Sequence, residues 1–90
     1  MNLIFAKSAF KHGLNEDDIR QAMSTCYKSV PVESRSGKLA YMGVGLINGQ
    51  PCELIFNISY LAGYRIFHAM CPARKSYIED IENIERKAKK

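Results

Sequence analysis

The pair Asn48-Gly49 constrains this chain more than any other feature, because it stands between two runs of apolar and β-branched residues. A two-residue hairpin turn needs positive φ at both central positions, and Asn-Gly meets that need at the lowest steric cost. With these two residues as the turn, Gly45 faces Cys52, Gly43 faces Leu54 and Tyr41 faces Phe56 on one side of the hairpin. Gly43 and Gly45 then leave a shallow trough in the sheet that a helix can fill. A phosphate loop is the other use for such glycines. The spacing Gly43-x-Gly45-x-x-x-Gly49 is wrong for a dinucleotide fingerprint, and it precedes a hairpin rather than a helix.

The same β-branched and aromatic texture marks strands over 27–33, 38–47, 51–58 and 64–70, with the polar stretch 33–37 as a turn. Ahead of them, Asn15 caps a predicted helix over 15–25, whose first turn carries Glu16, Asp17 and Asp18 at the positive end of the dipole. Leu14 and Ile19 occupy the staple positions, while Asp18 in place of Glu makes the capping box imperfect. A shorter helical stretch over 6–12 is stopped by Gly13. Pro72 ends the last strand because it brings no ladder donor. Beyond it Tyr77, Ile81, Ile84 and Ala88 recur at helical spacing, which predicts an amphipathic helix over 73–90. The expected fold class is therefore α+β: N-terminal helical segments, a four-stranded, mainly antiparallel sheet and a C-terminal amphipathic helix.

Ninety residues are enough for one core, so residues 1–90 are expected to form a single domain. No apolar run approaches the roughly 20 residues of a membrane span, and the first residues lack a secretory pattern, so a cytoplasmic chain with no membrane partner is expected. Cys26, Cys52 and Cys71 are odd in number and widely spaced, with no C-x-x-C pair; they read as free thiols, small hydrophobes in a reducing compartment. A net charge of +4 favours acidic partners such as RNA, DNA or an acidic protein.

Acidic side chains concentrate on the two predicted helices, so neither a carboxylate nor a histidine cluster is expected to hold a metal, and no nucleophile elbow is present. No cofactor is expected. The polar residues left for chemistry are Lys11 and His12, Arg65 and His68, and Arg74 and Lys75. They suit RNA, whose own 2′-hydroxyl attacks the adjacent phosphate when one group takes its proton, another protonates the leaving oxygen and cations steady the intermediate. His68 is the acid/base candidate, since imidazole ordinarily ionises near neutrality. In a regular strand it shares a face with Ile66 and Met70, and Arg65 joins it only if a bulge intervenes. Arg74 and Lys75, at a helix start, form a phosphate seat.

Lys11-His12-Gly13-Leu14 before the capped helix, with Tyr64-Arg65-Ile66-Phe67-His68-Ala69-Met70 and Ala73-Arg74-Lys75 after the strands, resembles the BrnT-like toxins of type II toxin–antitoxin systems. These are small members of the RelE/ParE toxin group. In that family a Lys-His-Gly segment precedes a capped helix, and a late strand reading roughly Arg-Ile-Ile-Ser-Ala-Arg enters the terminal helix. Lys11, His12, Gly13, Arg65 and Ala69 match, whereas His68 stands where the family has Ser and Met70 where it has Arg. The resemblance implies a RelE-like fold and a ribonuclease that arrests translation, acting on RNA on or off the ribosome and held inactive by a cognate antitoxin. Homodimerisation through a sheet edge is left open. The other readings are a non-catalytic RNA- or ribosome-binding module and a protein-interaction domain.

Overall fold

In the computed structural model, which describes residues 2–33, 39–59 and 63–88, one five-stranded mixed sheet carries a helix on each face. The elements in chain order are β1 (Leu3–Phe5), a 3-10 turn (Lys7–Phe10), α1 (Glu16–Ser24), β2 (Lys28–Glu33), β3 (Leu39–Ile47), β4 (Gln50–Ser59), β5 (Gly63–Met70) and α2 (Lys75–Ala88). The strand order is β1-β5-β4-β3-β2, antiparallel throughout except for the parallel pair β1 and β5. The α+β class holds. The polar turn expected after Glu33 and the last two lysines lie outside the described residues.

The hairpin closes as its turn residues require, with φ of 52° at Asn48 and 81° at Gly49 and with Gly45 opposite Cys52, Gly43 opposite Leu54 and Tyr41 opposite Phe56. Helix α1 lies in the glycine trough: a Cβ on Gly45 would overlap the Ala22 backbone. The capping box at its start is complete, because the Asn15 carbonyl oxygen accepts from the Asp18 N–H at 2.8 Å and the shorter Asp18 carboxylate still reaches the Asn15 N–H at 3.2 Å. Ile19, Ala22 and Met23 bury against Leu54, Phe56 and Ile66 on this face. On the other face α2 packs Tyr77 and Ile81 against Val30 and Val44. The buried Tyr77 hydroxyl reaches the carbonyl oxygens of Gly43 and Leu54 at 3.0 and 2.6 Å. Burial pushes this phenol well above its usual pKa, so it stays a donor to those carbonyls.

Besides the capping box, four expectations are corrected. The sheet has five strands rather than four: β1 is only three residues long, too short to show alternation, and its partner β5 is about sixty residues away in the chain. The stretch 6–12 forms a single 3-10 turn, which ends before Gly13 at φ 86°. Cys52 and Cys71 are not free; the rung that pairs Glu53 with Met70 brings their Cα atoms to 4.4 Å, and a disulfide joins them, leaving Cys26 as the free thiol. Strand β5 carries a bulge, since Ile66 pairs with Phe56 but His68 with Ile55, so Phe67 is the extra residue. His68 therefore does not share its face with Ile66, which is buried under α1.

The glycine trough is open to test by urea denaturation. Gly45→Ala should lose at least about 1–3 kcal/mol, because the added methyl must displace helix backbone. Gly49→Ala, where nothing lies within contact distance, should lose only about 1–2 kcal/mol from its positive φ. A Gly45→Ala protein as stable as the parent would refute the close helix–sheet approach.

Candidate active site

Glu53 sits inside the apolar run Cys52 to Phe56 and points to the α2 face of β4, fully buried. A lone carboxylate there would pay a heavy desolvation cost, so its partners decide whether it is charged. The Arg74 backbone N–H and Nε donate to Oε2, each at 2.8 Å; Arg74 Nη2 and His68 Nε2 donate to Oε1 at 3.0 and 2.9 Å. Burial alone would raise the carboxyl pKa, but the hydrogen bonds from the Arg74 side chain and backbone and from His68 outweigh it and hold Glu53 below its usual value. The same hydrogen bond and charge raise the Arg74 guanidinium further.

Each donor arrives for a local reason. Ala73 N–H bonds to the Pro51 carbonyl at 2.8 Å, which holds the segment before α2 against β4 and aims the next amide, that of Arg74, at the carboxylate. The bulge at Phe67 turns His68 onto the Glu53 face. It also leaves the Phe67 carbonyl to accept from the Ser8 hydroxyl, so the 3-10 turn lies along β5. That turn delivers His12, whose ring meets His68 edge to face, with centroids 5.2 Å apart and planes at 77°.

The expected site residues divide accordingly. His68 and Arg74 come together on Glu53, and His12 joins them through the His68 ring. Arg65 lies on the same face as His68, because the bulge supplies the condition for it, and its guanidinium stands 5.4 Å from the Phe67 ring centroid. Lys11 is exposed next to His12 in the chain, and Lys75 is exposed at the first residue of α2; among the described residues no contact draws either into the cluster. Glu53 is the residue sequence reasoning missed. Its signal was an acid in the middle of an apolar strand; of the nine acids only Glu53 and Glu33, at the end of β2, lie outside the two helices.

Chemically, the arrangement fixes a tautomer. An ionised carboxylate only accepts, so the bond to Glu53 keeps a proton on His68 Nε2 and leaves Nδ1 to take or give the second. Arg74 turns one edge of its fork to Glu53 and, with its side chain 57% exposed, presents the remaining donors to solvent. Among the described residues no group of three or more His, Cys, Asp or Glu is placed to hold a metal ion, and no helix is long and apolar enough to cross a membrane.

Fold and site thus define a class: an α+β protein with a carboxylate-anchored imidazole, a second imidazole against it and an arginine fork at a helix start. Comparison with protein-family models, with curated proteins and with solved structures returns no match.

The lowered Glu53 pKa has a signed consequence. A carboxyl with a lower pKa folded than unfolded stabilises the fold above its unfolded value, near 4.3, and that contribution is lost as pH falls through the folded value. Glu53→Gln should cost about 1.5–3 kcal/mol at pH 7, the range for hydrogen bonds to charged groups. The gap between the two proteins should hold steady above about pH 6 and shrink on acidification. Urea midpoints across pH 3 to 8 would check this, and a gap independent of pH would contradict an ionised Glu53.

Proposed function

We propose that this chain is a metal-independent endoribonuclease, the toxin of a type II toxin–antitoxin pair with a RelE-like, BrnT-like fold, acting in the cytoplasm. The observation that carries the reading is the His12–His68 pair beside Arg74, with His68 anchored by a buried carboxylate. One imidazole takes the proton of the RNA 2′-hydroxyl as that oxygen attacks the adjacent phosphorus. The other donates a proton to the departing 5′-oxygen, so the P–O5′ bond breaks as the P–O2′ bond forms. Products are a 2′,3′-cyclic phosphate and a 5′-hydroxyl end. The outer edge of Arg74, with Lys11 and Lys75 flanking, stabilises the charge on the non-bridging oxygens. The net charge of +4 favours RNA as substrate and an acidic antitoxin as the protein that neutralises it.

A second reading, a non-catalytic RNA-binding module, draws on Glu53–Arg74 itself, since the pair also fastens the start of α2 to the sheet whatever else it does. The test follows an end-labelled messenger RNA in a cell-free translation reaction, with and without ribosomes. The purified protein should generate cyclic-phosphate ends, and His68→Ala and His12→Ala should each slow cleavage by about 10²-fold or more, as for a lost general acid or base. Intact RNA with the active-site histidines present would overturn the nuclease reading. Salt-dependent RNA binding without cleavage would select the binding module.

A further inference from the structure

We infer that the face of β4 and β5 beyond His68 is a nucleobase subsite, in which Asn57 reads a base edge and Arg65 stacks on its ring. The inference rests on the ribonuclease reading only for its link to cleavage; the recognition chemistry stands on its own observations.

Helix α2 packs mainly on β2 and β3, and on the β4–β5 side of the same face Arg65 is exposed while Asn57 and His68 are half-buried. Along β4, Glu53, Ile55 and Asn57 point to the α2 face; across from them on β5 stand Met70, His68 and Arg65. Asn57 and Arg65 are thus direct cross-strand partners, one same-face position beyond the rung of His68. Strand geometry puts that step at about 7 Å, a distance that one nucleotide spans.

The two side chains have complementary work left to do. Asn57 is half-buried, yet its amide makes no hydrogen bond with another described residue, so a carbonyl acceptor and an NH2 donor remain open side by side on a sheet face. Arg65 is exposed and makes no ion pair with a described residue; its guanidinium lies over the Phe67 ring at 5.4 Å. A guanidinium seated on an aromatic ring has its other planar face free, and exposed RNA bases stack on such planes. An amide offering adjacent donor and acceptor pairs best with the N6 and N7 edge of adenine. The ligand is therefore a single-stranded RNA with adenine beside the phosphate that reaches His68.

Binding is measured by fluorescence anisotropy with uniformly 2′-O-methylated hexamers of A, C and U, which lack the 2′-hydroxyl nucleophile. Cleavage of the unmodified hexamers is followed in parallel. The wild-type protein should bind the A hexamer about tenfold more tightly than the U hexamer, the discrimination of a bidentate amide. Asn57→Ala should abolish that ratio and Asn57→Ser should reduce it, with circular dichroism matching the parent. Arg65→Ala should weaken all three hexamers together. A wild-type protein indifferent to base, or a preference that survives Asn57→Ala, overturns the subsite even if RNA is cleaved. Base-selective binding that Asn57→Ala removes upholds the subsite even if no hexamer is cleaved, and in that outcome it is the nuclease reading that falls.

Discussion

The carboxylate of Glu53 is the constraint on which the rest of this structure hangs. It is fully buried in the middle of β4 and takes hydrogen bonds from three sources: a backbone amide before α2, the Arg74 guanidinium and the His68 imidazole. Burial raises its pKa, and together these donors outweigh that and hold it below the usual carboxylate range. Because the donors belong to different elements, satisfying one charge fixes how β4, β5 and the entry to α2 meet. Three residues beyond that point, the Tyr77 hydroxyl bonds to the carbonyls of Gly43 and Leu54, so polar contacts tie the start of α2 to the sheet at two places. Removal of one partner from such a pair is costly, whereas exchange of the whole cluster for apolar side chains of like volume need not be. The cluster is thus better explained by the geometry it imposes than by net stability.

The two faces of the sheet solve different problems with the same strands. Under α1 the sheet must admit helix backbone at close range, and the missing side chain of Gly45 allows it, while Gly43 makes room for the side chains of Cys26 and Phe56. Under and beside α2 it must present polar groups to solvent while burying the rest. A strictly alternating β5 could not do both, for it would bury either Ile66 or His68 on the wrong side. The extra residue at Phe67 resolves the conflict: Ile66 faces the α1 core, and His68 faces Glu53. The same irregularity frees the carbonyl that holds the 3-10 turn and hence His12.

What was legible in the sequence was local. Asn48-Gly49 dictated its own turn and, through the period of two, the register of β3 with β4; Asn15 and the acids after it marked the start of α1. The features that escaped are those set by distant pairings. Three residues of β1 carry no periodicity, and their strand exists because β5 offers an edge. The Cys52–Cys71 bond depends on β4–β5 register, which no turn residue specified. Spacing alone likewise cannot place a bulge, so the position of Arg65 relative to His68 stayed conditional. Glu53 was overlooked because an acid in a strand is informative only once its burial is known. Of the site, His12, His68 and Arg74 were named from residue type, but not the carboxylate that organises two of them.

The resemblance to BrnT-like toxins makes the exchange of Ser for His at position 68 the central chemical question, and the geometry around Glu53 bears on it. A hydroxyl at that place could accept or donate a hydrogen bond but could not exchange protons near neutrality. An imidazole ordinarily can, and a carboxylate on Nε2 decides which of its nitrogens does so. His68 thereby has one nitrogen left for proton traffic, whereas His12, exposed beside it, has no carboxylate partner among the described residues. General acid–base cleavage needs this kind of asymmetry, because one group must begin the reaction with a proton the other lacks. In the proposed reaction Glu53 is a positioning residue: it touches no substrate, and it acts by holding His68 and Arg74 in register with each other. In that proposed reaction Arg74, which reaches the Glu53–Met70 rung from the helix side, is the cation that would serve in place of an arginine at position 70.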